Sequence, residues 1–257
     1  MGLSRDGEYH ILADGWMKID KSDYAVGLAN APKGRMLLGL NQLLLFKAGK
    51  HILIDTGLGD KWNRDELELL DYQYPRGLNA ELAKHNVDPG EIDIVIFTHL
   101  HYDHSGGGTV RADNSVAPAF PNAVYYVNGK ELQAALHPAP DRLLDYRRED
   151  FVPLMERGVL IETSGDFEIV PGVTVHHAPG HSPGHQVVKI GLENETLLFA
   201  GDLISTFSHA NLNVTMIYDD DRETIFHHRK LWIVAAIEGH WKVILCHAIR
   251  NPIVILG

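Results

Sequence analysis

The hexapeptide His99-Leu100-His101-Tyr102-Asp103-His104 follows directly on the apolar run Ile92-Asp93-Ile94-Val95-Ile96-Phe97-Thr98. A short apolar run that ends abruptly in polar side chains reads as a buried strand ending at a site. In an extended segment the side chains at 99, 101 and 103 share one face, while 104 begins to turn away. Neutral imidazole and carboxylate are the ligands preferred by borderline divalent ions such as zinc. Four of them in one loop crowd a single ion and suit two. A purification tag would lie at a terminus and would need no aspartate.

The same pattern recurs along the chain. Ile52-Leu53-Ile54 runs into Asp55-Thr56-Gly57, and Ala178-Pro179-Gly180 into His181-Ser182-Pro183-Gly184-His185. Phe199-Ala200-Gly201 precedes Asp202, and Leu245-Cys246 precedes His247. Helical signals lie between these blocks: residues 78–86 closed by Asp88-Pro89-Gly90, then 129–137, then 141–157. A further helix with one apolar stripe through Ile225, Trp232 and Ala236 is led by Asp220 and Glu223 as a capping box. Leu38 to Phe46, Lys47-Ala48-Gly49-Lys50 and His51 to Asp55 make a hairpin. Strands alternating with helices place the chain in the α/β (α+β) class.

Composition narrows the function. With 257 residues, 45% of them hydrophobic, the chain can bury a full core. Cys246 is the one cysteine, so no intrachain disulfide is available. The first residues have no apolar signal segment, and no run reaches the length of a membrane span, so a cytoplasmic protein without membrane contact is expected. The net charge of −11 disfavours polyanionic substrates and nucleic acid. The densest basic cluster, Arg142 to Arg148, is interrupted by Asp145 and reads as a solvated helix face. A homodimer is compatible with the sequence.

Taken in order, these blocks resemble the metallo-β-lactamase superfamily over residues 38 to 247. The resemblance implies a four-layer αββα sandwich forming a single domain over 1–257, with 1–35 as an N-terminal leader and 109–172 as a cap-like insertion. It also implies a metal site residue by residue. His99, His101 and His181 would hold one ion, and Asp103, His104 and His247 the other, with Asp202 bridging. The cofactor expected is two zinc ions, with iron or manganese also suited to the ligands. True β-lactamases place Cys where Asp202 stands. Flavodiiron reductases carry Glu for His101 and an added flavodoxin domain, so both drop in rank. The alternative class is a non-haem iron oxygenase, similar to persulfide dioxygenases, on the same ligands.

Two ions sharing a water lower its pKa until hydroxide forms near neutral pH, so no serine or cysteine nucleophile is needed. Asp103, beside that solvent, is the expected catalytic proton carrier. The reaction class is hydrolysis of a small-molecule ester, lactone, thioester or phosphoester. Asp55 and His185 match family positions that support the metal loops without binding metal. Gly106-Gly107-Gly108 serves tight packing there. Alternation turns Cys246 away from the metals, as a small buried hydrophobe. His209, seven residues past Asp202, is a candidate pocket residue.

The long interval from His104 to His181 and the long leader are similar to the methyl parathion hydrolase and acyl-homoserine-lactone lactonase branch. Those lactonases carry a Tyr three residues after the bridging Asp, where this chain has Ser205. Tyr218 is a candidate to reach in instead. Glutathione recognition of the glyoxalase II kind would have to rest on Arg250 alone. The stretch 125–157, with Tyr125, Tyr126, Tyr146 and Phe151, is expected to wall the substrate pocket.

Overall fold

In the computed structural model, residues 6–24, 26, 34–72, 77–113 and 115–257 are described. The strands in chain order are β1 (Glu8–Asp20), β2 (Arg35–Lys47), β3 (Lys50–Ile54), β4 (Ile94–Ile96), β5 (Thr109–Ala112), β6 (Ser115–Pro118) and β7 (Val124–Asn128). They continue with β8 (Leu160–Thr163), β9 (Phe167–Val170), β10 (Val173–His177), β11 (Gln186–Gly191), β12 (Thr196–Phe199), β13 (Lys242–Ile244) and β14 (Ile253–Ile255). The helices are α1 (Lys21–Tyr24), α2 (Arg64–Leu69), α3 (Leu78–Lys84), α4 (Tyr102–Ser105), α5 (Gly129–Leu136), α6 (Arg148–Glu156) and α7 (Arg222–Glu238).

Two six-stranded mixed sheets result, in the orders β1-β2-β3-β4-β7-β8 and β14-β13-β12-β11-β10-β9, with β5 and β6 as a separate ribbon. Alternation along each strand decides which layer a residue joins. Leu43, Leu45, Ile52, Ile54, Ile94 and Ile96 of the first sheet meet Val173, Val188, Leu197, Phe199 and Ile244 of the second between the sheets. The intervening Leu44, Leu53 and Val95 face outward onto Leu82, Leu132, Phe151 and Leu154 of α3, α5 and α6. On the far side, Val187, Leu198 and Val243 pack on Ile225, Trp232 and Ala236 of α7. Strands buried on both faces read as continuous apolar runs, which is why β2 and β3 look so uniform. The αββα sandwich expected from the family resemblance is the observed architecture.

Local chemistry sets the connections. Ala48 and Gly49 both take positive φ, 52° and 73°, which lets two residues close β2 onto β3. The N-cap of α7 is Asp221, whose carboxylate accepts from Glu223 N and Thr224 N at 3.0 Å each. Asp220 is therefore not the cap residue; it takes Arg142 Nε at 2.8 Å.

Four sequence expectations need correction. Residues 141–147 are turns and bends and α6 begins only at Arg148. The basic cluster there is ion-paired rather than a free helix face: Arg142 with Asp220, and Arg147 with Glu66 and Glu149. The stretch 1–35 is not merely a leader, since Glu8–Asp20 forms the edge strand β1 along all of β2. Residues 1–5, 25 and 27–33 of that leader lie outside the described residues. The stretch 109–172 is not wholly an insertion: β7 and β8 belong to the first sheet and β9 to the second, leaving the β5–β6 ribbon, α5 and α6 outside the sheets.

Candidate metal centre

The loop after β4 carries His99 and His101, and α4 carries Asp103 and His104. The loop after β10 brings His181, the turn after β12 brings Asp202, and the turn after β13 brings His247. All seven sequence-selected residues converge at one edge of the sandwich. Ligand atoms of His99, His101 and His181 lie within 4.8 Å of one another, and so do those of His104, Asp202, Cys246 and His247. Asp202 stands between the groups. Its Oδ1 is 3.0 Å from His247 Nε2 and 3.4 Å from His104 Nε2, while Oδ2 is 3.3 Å from His181 Nε2. Asp103 Oδ2 lies 3.6 Å from His247 Nε2 and 3.8 Å from His104 Nε2.

The partners of the other ring nitrogens assign the tautomers. His104 Nδ1 sits 2.8 Å from Asp55 Oδ2, His247 Nδ1 2.8 Å from the Gly39 carbonyl, and His181 Nδ1 3.0 Å from Asp219 Oδ1. Each of these Nδ1 atoms faces an acceptor and carries a proton, so Nε2 is the ring atom each histidine turns to the cluster. His104 Nε2 and His247 Nε2 then confront each other at 3.2 Å, and His181 Nε2 faces His101 Nδ1 at 3.1 Å. His99 Nδ1 is taken by Thr98 Oγ1, leaving a buried Nε2 with no hydrogen-bond partner among the described residues. Lone pairs and carboxylate oxygens crowded into a buried space fit cations.

At His104, His181 and His247 burial opposes the charged form, but the facing carboxylates of Asp103, Asp202 and Asp219 outweigh it and raise the pKa. These imidazoles therefore favour a second proton, which a bound cation would displace. Burial, helped by the neighbouring imidazoles, holds His99 and His101 well below the usual histidine range. Burial also opposes ionisation of Asp202, but the imidazoles of His247, His181 and His104 outweigh it and keep the carboxylate ionised. Neutral imidazole and ionised carboxylate are the metal-binding forms.

The supporting shell is dense. Asp55 sits at φ 57°, a conformation uncommon for a side-chain-bearing residue. It is held there by Thr98 N, Thr98 Oγ1 and His104 Nδ1, each at 2.8 Å. His185 accepts the Asp202 N–H at 3.0 Å and faces the Ala178 carbonyl, and burial beside His181 lowers its pKa to about 3, so it stays neutral. At Gly106 and Gly107 a Cβ would lie 2.1 and 2.2 Å from the carbonyls of Leu58 and Thr56. No side chain fits between these two loops.

Cys246 does not turn away as alternation suggested, because β13 ends at Ile244 and the chain is already turning. Its thiol lies 3.2 Å from both the Gly201 carbonyl and Asp202 Oδ1. Burial, reinforced by Asp202, pushes that thiol far up, so it remains protonated and is no nucleophile.

The cleft over these residues holds about 480 Å3 of empty space, counting the part open to solvent. Its walls are Met17, Ile19, Tyr24 and Leu38 from the first 38 residues, packed in one cluster with Met216 and Tyr218. From the stretch 125–157, Asp145 lines it and the Tyr146 ring packs 5.0 Å from that of His101. Tyr125 and Phe151 are core residues, and Tyr126 packs between the sheets. The expected wall thus comes mostly from β1, α1 and β2. Tyr218 does line the cleft.

Ser205 accepts a hydrogen bond from the Tyr24 hydroxyl at 2.8 Å, so a phenol enters here from the far end of the chain. His209 lies behind Tyr24, 3.0 Å from its carbonyl, and is absent from the cleft lining. Burial lowers its pKa to about 4. Sequence reasoning missed Tyr24, Asp219 and Glu131. A signal existed for Asp219, the acidic run 219–221; Tyr24 and Glu131 carry none, being brought in by packing alone.

Residues 37–236 match the family model described as the metallo-beta-lactamase superfamily. The chain belongs to that superfamily. It is 35% identical over 112 residues to an N-acyl homoserine lactonase of Bacillus thuringiensis, covering 44% of this chain and 38% of that protein. To the N-acyl homoserine lactonase AttM of Rhizobium radiobacter it is 33% identical over 180 residues, 65% of each chain. The matches thus span less than two thirds of these relatives. Among solved structures, a probable metal-dependent hydrolase from Staphylococcus aureus superposes with a TM-score of 0.87 at 25% identity, over 94% of this chain and 89% of that one. A quorum-quenching N-acyl homoserine lactone lactonase gives 0.77 at 25% identity, over 98% and 95%.

Proposed function

We propose that the chain is a dinuclear zinc hydrolase acting on a small, neutral ester or lactone. His99, His101 and His181 would hold one ion, Asp103, His104 and His247 the second, and Asp202 both. The observation that carries the reading is the split of Asp202, one oxygen toward each histidine group, beside the buried His99 Nε2 that has no hydrogen-bond partner among the described residues. When bound, the ions would activate water and polarise the scissile carbonyl.

The chain's own groups supply the rest. Asp103 lines the cleft and is the carboxylate placed to take a proton from the attacking water and pass it to the leaving oxygen. Asp55, Asp219 and the Gly39 carbonyl hold three imidazoles in one tautomer. Met17, Ile19, Leu38 and Met216 offer an apolar wall for an acyl group. Neither Lys nor Arg lines the cleft among the described residues, which leaves a carboxylate or phosphate on the substrate without a partner. The similarity to N-acyl homoserine lactonases supports an acylated lactone within this substrate class.

The test is a screen of neutral lactones, aryl esters, thioesters and phosphotriesters with the zinc-loaded protein. Hydrolysis of neutral lactones or esters, at least tenfold faster than of their carboxylated analogues, is expected. Turnover of anionic esters alone would contradict the substrate class.

A further inference from the structure

The three histidines assigned to one ion come from different sheets. His99 and His101 follow β4 of the first, and His181 follows β10 of the second. A tripod split in this way holds its geometry only if the two loops are fixed to each other. Glu131, fully buried in the first turn of α5, touches both. Its Oε1 accepts the Leu100 N–H at 3.0 Å and the Tyr146 hydroxyl at 3.3 Å. Its Oε2 accepts the Ser182 hydroxyl at 2.6 Å and the Gly184 N–H at 3.0 Å.

Leu100 lies between His99 and His101, and Ser182 follows His181. Gly184 presses so close that a Cβ there would fall 2.0 Å from Glu131 N. Four donors meet four carboxylate lone pairs, with none left over. We propose that Glu131 is a positioning residue, a clamp that sets the distance between the His99–His101 loop and the His181 loop and thereby tunes one metal site alone. The proposal rests on the assignment of His99, His101 and His181 to one ion.

Glutamine is the informative replacement. It keeps the shape but replaces one oxygen with an amide NH2, which donates and does not accept. The Ser182 and Tyr146 hydroxyls can rotate to accommodate that change. The backbone N–H groups of Leu100 and Gly184 cannot, so either orientation of the amide leaves one of them facing a donor.

The experiment separates the two sites by background. His247→Ala weakens the second site and leaves the first to be titrated with cobalt against a competing chelator; His101→Ala does the reverse. Adding Glu131→Gln should weaken cobalt binding about 10–100-fold in the His247→Ala background, the usual loss when a ligand's support is removed. In the His101→Ala background affinity should stay within about twofold. Ser182→Ala, which deletes a single donor, should give a smaller loss with the same selectivity. Unchanged binding in the His247→Ala background would overturn the clamp. So would equal losses in both backgrounds, which would mark a general loosening of the fold. Lack of ester hydrolysis by the wild-type protein would remove the hydrolase reading and leave these titrations standing, so the two claims fail on separate measurements.

Discussion

Asp14 should make the protein less stable as pH rises. It sits on β1 at the irregularity between Ala13 and Gly15, fully buried. Its Oδ2 accepts from Leu58 N at 3.1 Å and from the Tyr72 hydroxyl at 3.4 Å, and the Leu78 N–H also supports the carboxylate. Burial raises its pKa from 3.8 to about 7, against the pull of those hydrogen bonds. The folded state therefore holds this proton more tightly than the unfolded chain does. The cost of ionising Asp14 is absent below about pH 4, grows through pH 4–7 and is complete above it, reaching about 4 kcal/mol from the shift.

Asparagine at this position would be isosteric and uncharged, with its oxygen in place of Oδ2 and its NH2 in place of Oδ1. Urea unfolding of metal-free wild type and Asp14→Asn at pH 5, 6, 7 and 8 reads the difference directly. The stability of the variant relative to wild type should rise by about 2–3 kcal/mol between pH 5 and pH 8, with most of the change complete by pH 7. A relative stability that falls over this range, or does not change with pH, would refute the reasoning.

Asp202→Ala should abolish activity and release at least one metal equivalent, measured by elemental analysis; retention of both ions with full activity contradicts the bridging role. Asp219→Asn, which sets an amide against His181 Nδ1, should weaken metal binding about 10–100-fold in a chelator competition, with little change in the circular dichroism of the apoprotein. Exchanging zinc for cobalt or manganese should move the limb of the pH–rate profile, whereas Cys246→Ala should leave it in place. Leu38→Asp, a charge set into the apolar wall, should raise KM for neutral esters at least tenfold with both metals retained.

How much of this was legible in the sequence depends on range. The strand ends were visible because β3, β4 and β12 each run apolar and then give way within a few residues to a polar one, a pattern local to a few positions. α3, α5 and α7 announced themselves by period and by their stop or cap residues. β1 did not. Asp14, Gly15 and Lys18 break its alternation, and its identity as a strand comes from pairing with β2 across the residues 21–34. The cleft wall was misplaced for the same reason: β1 and α1 come to the metals only through that pairing. Tyr125 and Phe151 looked like pocket aromatics, yet β7 and α6 turn them into the outer core. The contacts of Glu131 with Ser182, of Asp219 with His181 and of Tyr24 with Ser205 span 51, 38 and 181 residues, distances over which sequence patterns carry no information.

If two ions held by His99, His101, Asp103, His104, His181, Asp202 and His247 carry out hydrolysis, metal content and activity must rise and fall together. The decisive measurement is the metal content of the purified native protein, paired with activity before and after chelation. Two zinc ions per chain are expected, with loss of ester or lactone hydrolysis on their removal and recovery only as both are restored. A single iron per chain, with dioxygen consumed in turnover, would contradict the dinuclear hydrolase.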